Sequence, residues 1–153
     1  METVDGMNIR ITVKQPKAPR PIVNQAIKAG LDTMTTAAVD IQKGNAPVRY
    51  GAPNAGTLRR SIYGDFTRLD SFKAAVVQDG SIAPWGPIVN NGYAGIIKPR
   101  QAQALKIHEN NGIFFRKQAH GQAAQHWWEK IEHRTADLQA AFIKGFNRIF
   151  KGG

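Results

Sequence analysis

The chain has 153 residues, 42% of them hydrophobic, and no cysteine. That length fits one domain with a core of its own, and the lack of thiols excludes disulfides and thiolate metal sites. Twenty-one Lys and Arg against eleven Asp and Glu give a net charge of +10, which favours an acidic partner: nucleic acid, an anionic membrane face or an acidic protein surface.

The basic residues are scattered, with no run of five and no basic–aromatic repeat of a nucleic-acid module. Met1–Gly6 lacks the basic start and apolar run of a signal peptide, and no stretch reads as a transmembrane helix. A soluble protein made in a cytoplasm, with no membrane partner, is expected.

In chain order, Met7–Lys14 alternates Met7, Ile9, Ile11 and Val13 with Asn8, Arg10, Thr12 and Lys14, the pattern of a half-buried strand. Pro21 suits the first turn of a helix, and Val23, Ile27, Leu31 (or Met34), Ala38 and Ile41 recur at three-to-four spacing. The spacing predicts a helix over 21–43, ended by Gly44, with Gly30 packed closely against the sheet. Asn45–Thr57 reads as a loop. Leu58–Phe66 and Phe72–Gln78 read as two antiparallel strands joined by a hairpin at Thr67–Ser71, with Phe72, Ala74 and Val76 on one face. Asn110-Asn111-Gly112 between Ala104–His108 and Ile113–Lys117 predicts a second hairpin. Ala124, Trp127, Ile131, Leu138, Phe142, Phe146 and Ile149 predict a last helix over 122–150, with Trp127 in its core stripe and Trp128 at the stripe's edge. No internal repeat or linker divides the chain.

The stretch Gly80–Ile97 has no charged residue, yet it holds four glycines, two prolines and the Asn90-Asn91 pair. So many turn formers exclude a membrane span and point to a structured turn region packed on protein; an ordinary hairpin loop is the plain alternative. His126 and His133, seven apart on the expected helix, share a face, but a metal site needs a third ligand and no His-Glu-x-x-His pattern supplies one. No nucleophile elbow, phosphate-binding glycine loop, dinucleotide fingerprint or carboxylate pair stands out. The chain is therefore read as a non-enzyme with no cofactor and no metal.

The order of these features resembles the tail-completion, neck and minor tail proteins of long-tailed bacteriophages and prophages. The likeness runs from Ile22 to Ile149. After the first helix come Ala46-Pro47 and then Ala55-Gly56-Thr57-Leu58-Arg59-Arg60-Ser61-Ile62, similar to the family's Thr-Gly-x-Leu-Arg-x-Ser-Ile segment. Trp85–Tyr93 occupies the place of a Tyr-Ala-x-x-Val-Glu-x-Gly-Thr segment. Pro99 to Ala104-Leu105, then Phe115-Arg116-Lys117, then His120-Gly121, continue the series. Trp85 stands where the family has tyrosine, Asn90 where it has glutamate, and the proline of the family's His-Pro-Gly turn is missing. A role that depends on a negative charge does not carry over to Asn90.

The resemblance implies a single α+β domain over 1–153: an antiparallel sheet of four to five strands packed by two long helices. The expected core is Ile9, Ile11, Ile27, Leu31, Leu58, Ile62, Val76, Leu105, Ile131, Leu138 and Phe142. It also implies a structural virion protein that forms a homo-oligomeric ring at the head–tail junction or tail end. Its neighbours would be connector and tail-tube proteins, with packaged DNA close by. The host cytoplasm would be its location before assembly. Contact regions are then expected at Asn45–Thr57, Ala83–Arg100 and the tip Glu109–Gly112. The contact residues are expected to be Arg49, Tyr50, Arg59, Trp85, Pro87, Asn90, Asn91, Tyr93, Lys98, Arg100 and Trp128. The alternative reading is a basic nucleic-acid-binding domain.

Overall fold

In a computed structural model, described at residues 6–14, 21–48, 54–98, 103–109 and 112–151, the chain is α+β. Strand β1 (Asn8–Thr12) exposes its polar residues and half-buries Ile9 and Ile11, as the alternation requires. Helix α1 (Pro21–Asn45) runs two residues past the expected end. A single helical turn, α2 (Thr57–Arg60), precedes strand β2 (Ile62–Asp65). Leu58, Ile62 and Phe66 are spaced by four, which suits a helix as well as a strand. Here the backbone closes helically, with Arg60 N–H on the Gly56 carbonyl and Ser61 N–H on that of Thr57.

Strand β3 (Lys73–Gln78) lies between β1 and β2, antiparallel to both, with Val76 opposite Ile9 on one side and Gly64 on the other. Phe72, Ala74 and Val76 face inward as expected. Among the described residues this sheet has three strands rather than four or five. The remaining strands pair off apart from it. β4 (Ile96–Ile97) meets β7 (Ala119–His120), and β5 (Leu105–Glu109) meets β6 (Gly112–Arg116). Both pairs are antiparallel sections of one long hairpin. The first pair joins Ile97 to Ala119 and the second begins at Leu105 with Arg116.

The uncharged stretch forms a short helix, α3 (Gly86–Asn91), with Pro87 in its first turn. The last helix is the largest departure. It splits into a coil from Gly121 to His126, a turn at Trp127-Trp128, a 3₁₀ segment (Glu129–Arg134) and then α4 (Thr135–Phe150). Two causes keep Gln122–His126 out of a helix. Gln125 and His126 give their N–H groups to the carbonyls of Val89 and Asn90 at 3.2 and 3.0 Å, and His126 has φ 46. His126 and His133 therefore share no α-helical face.

Helix α1 touches both the sheet and α4, and its contact with α4 is the most extensive in the fold. Gly30 faces α4, not the sheet: a Cβ there would stand 2.9 Å from the Phe142 carbonyl oxygen and 2.9 Å from its ring. The core gathers Ala38, Val39, Leu58, Ile62 and Val76 around Trp127, Trp128 and Ile131. The two indoles meet edge to face, centroids 5.1 Å apart. Each buried indole contributes about 4–6 kcal/mol by area, as an upper bound. Trp127 Nε1 is buried without a partner among the described residues, which offsets roughly 1–3 kcal/mol of that. Of the expected core, Ile27, Leu31, Leu58, Ile62, Val76 and Ile131 are buried. Ile9, Ile11, Leu138 and Phe142 are half-buried, and the Leu105 side chain lies outside the described ones. Among the described residues no helix is long and apolar enough to cross a membrane.

Candidate docking face

Helix α3 has only six residues, too few to hold itself together in water, so its position depends on what it is tied to. Its end is bound by the coil that precedes Trp127. Beyond the two bonds to the Val89 and Asn90 carbonyls, Tyr93 N–H donates to the Gln122 carbonyl at 2.9 Å. Gly92, at φ 78, lets this coil run close, since a Cβ there would meet Ala124 N at 2.6 Å.

Asn90 is the pin of this joint. Only 2% exposed, it accepts Trp128 N–H on Oδ1 at 2.9 Å. Its Nδ2 donates to Glu129 Oε1 at 2.8 Å and to Asn91 Oδ1 at 3.0 Å. Gln42 of α1 completes the set by donating Nε2 to the Trp128 carbonyl at 2.7 Å, while accepting Asn45 Nδ2 at 3.0 Å. Buried amides are tolerated here because nearly every donor and acceptor is used. A third buried amide, Gln78, ties the start of the stretch to the sheet by donating Nε2 to the Ala83 carbonyl at 3.0 Å and to Ser61 Oγ at 3.1 Å.

Held in this way, α3 turns Trp85, Ile88 and Val89 toward the start of α2. A cleft of about 310 Å³ lies between them, with Pro47, Asn54, Ala55, Gly56 and Leu58 on one wall and Gln122 and Gln125 on the rim. Every described residue lining it is apolar or a neutral amide. Two of the expected contact regions, Asn45–Thr57 and Ala83–Arg100, are thus brought together.

The contact residues expected from the sequence divide into groups. Trp85 lines the cleft, half-buried, and Pro87 is half-buried beside it. Arg59 is half-buried, with Nη2 donating to the Ala46 carbonyl at 3.4 Å and Nε buried without a partner among the described residues. Asn91, Tyr93 and Lys98 are exposed. Asn90 and Trp128 are buried, so they do not belong to a contact surface; they position the helix that carries one. Trp128 is inside because its segment is a tight turn, and the 100° spacing of an α-helix does not apply to it. Arg49, Tyr50 and Arg100 lie outside the described residues, as does part of the expected tip at Asn110-Asn111.

Ile88, 50% exposed at the cleft mouth, was missed. The spacing Trp85–Ile88–Val89 carries a helical signal for it, hidden by the surrounding glycines and prolines. Gln122 and Gln125 carry no such signal. Among the described residues no group of His, Asp and Glu side chains is placed to hold a metal ion. Comparison with known proteins finds no matching family model, no matching curated protein and no matching solved structure.

Proposed function

We propose that the chain is a structural virion protein of a long-tailed phage or prophage, acting in tail completion or head–tail joining by ring assembly. The observation that carries this reading is the convergence of Pro47 and Asn54–Gly56 with Trp85, Ile88 and Val89 on one cleft whose described lining is uncharged, with Ile88 exposed at it. Apolar floor with an amide rim is the anatomy of a docking surface. Loops held on a rigid frame are the usual place for such contacts. A ring requires head-to-tail interfaces that close, so the cleft would receive a different patch of its neighbour, another copy or a connector or tail-tube protein. The finished particle is then its location, and the host cytoplasm its place before assembly.

The test is electron microscopy of lysates in which this gene is interrupted and then complemented. Separate filled heads beside finished or overlong tails, rescued by complementation, are the expected result. Normal infectious particles from the interrupted gene would remove the proposal.

A further inference from the structure

The long hairpin formed by β4, β5, β6 and β7 has a charge excess that docking at the cleft does not use. Residues 96–120 hold Lys98, Arg100, Lys106, Arg116 and Lys117 against a single acid, Glu109. These 25 residues therefore carry four of the chain's ten net positive charges. Lys98, Lys106, Arg116 and Lys117 are all exposed. Phe115 between them is 69% exposed, more than any other large hydrophobic in the described structure. Among the described elements, β5 and β6 pack substantially only on each other.

The register places these groups. Lys106 pairs with Phe115, and Leu105 pairs with Arg116. Paired residues share a face and neighbours alternate, so Lys106 and Phe115 stand on one side of the ribbon and Arg116 on the other. Five-residue strands make this section about 17 Å long. A two-stranded ribbon of that kind fits the major groove of B-DNA, about 12 Å wide. Cations on both faces then reach both phosphate walls. Duplex DNA presents a negative charge about every 1.7 Å of its axis, so a ribbon with scattered cations meets phosphate without matching any pattern of partner groups.

We propose that this hairpin is a sequence-independent contact for double-stranded DNA. Lys98, Lys106, Arg116 and Lys117 neutralise phosphates, and Phe115 lies against the groove. The proposal goes beyond ring assembly and does not depend on it, because a single copy carries the whole contact.

The experiment is fluorescence anisotropy of the full chain with a labelled duplex of about 30 base pairs, titrated between about 50 and 200 mM salt. Four phosphate contacts give a log–log slope near −3.6, a fall of roughly 10²-fold in affinity across that range. One variant neutralises the hairpin: Lys98→Gln, Lys106→Gln, Arg116→Gln and Lys117→Gln. A second removes the same charge from the C-terminal segment: Lys130→Gln, Lys144→Gln, Arg148→Gln and Lys151→Gln, all exposed. The expected result is loss of most of the slope and at least tenfold in affinity for the first, with the second within about threefold of the parent. Equal losses in the two variants, or no saturable binding by the parent, would overturn the proposal. So would displacement of the duplex by polyglutamate at equal charge concentration, which would assign the hairpin to an acidic protein surface.

Discussion

Gly30 of α1 and Phe142 of α4 meet so closely that a Cβ on the glycine would stand 2.9 Å from both the phenylalanine's carbonyl oxygen and its ring. The approach is matched from the other side, where Gly145 of α4 faces the Ala29 carbonyl and the Thr33 hydroxyl of α1. Two helices that touch backbone to backbone have no room for a methyl. Helix propensity alone would make Gly→Ala favourable by up to about 1 kcal/mol, while overpacking costs about 1–3 kcal/mol. Gly30→Ala and Gly145→Ala should each lower the urea midpoint. A raised midpoint for both would mean that the helices lie further apart.

The Asn90 joint makes a reciprocal prediction. Asn90→Asp keeps the acceptor for Trp128 N–H but replaces the donor facing Glu129 with a second carboxylate. Losing that buried donor while adding like charge should cost about 2–4 kcal/mol. Glu129→Gln restores a donor–acceptor pair, so the double variant should recover most of the loss. Equilibrium unfolding of the parent, both single variants and the double variant closes the cycle. Additive losses would show that the two side chains do not interact.

Exposed Ile88 separates folding from docking. Ile88→Asp places a charge at the cleft mouth, where half the side chain already meets solvent. Stability should change by no more than about 0.5 kcal/mol, while complementation of the interrupted gene fails. If the variant complements fully, the cleft is not the assembly contact.

Acid should weaken the fold through three carboxylates. Asp65 is held below its ordinary value near 3.8 by the Thr67 hydroxyl and then the Thr67 N–H. Asp79 is held down in the same way by Ser81, and Asp70 by the Lys28 ammonium. A carboxylate whose folded value is depressed stabilises the fold above its unfolded value, and that contribution is lost as pH falls through the folded value. Melting temperature should therefore be insensitive to these groups above about pH 5 and decline below about pH 4. Asp65→Asn with Asp79→Asn should flatten the decline; an unchanged slope would place the acid sensitivity elsewhere.

Elements whose stability is local were legible in the chain. Pro21 and a regular apolar stripe announce α1, strict alternation announces β1, and the two short runs around Asn-Gly announce the pairing of β5 with β6. The parts that were not legible depend on distant partners. Gln42 is buried because it reaches the Trp128 carbonyl 86 positions away, and Asn90 because it reaches Trp128 N–H 38 positions away. Nothing near either residue reveals those bonds. The coil at Gln122–His126 has good helix formers and a fitting stripe, yet its N–H groups go to α3. Trp85 and Pro87 could be singled out as unusual neighbours in an uncharged stretch. Gln122 and Gln125 could not, since only the fold sets them on the rim.

The close pairing of α1 with α4 also sets a timetable for synthesis. Phe142 leaves the ribosome more than a hundred residues after Gly30, which at 5–20 residues per second is a delay of roughly 5–20 s. Throughout that interval α1 has a bare apolar side with no partner yet made. A nascent chain of this kind favours chaperone capture over early folding, and release of the last turn of α4 becomes the event that lets it close.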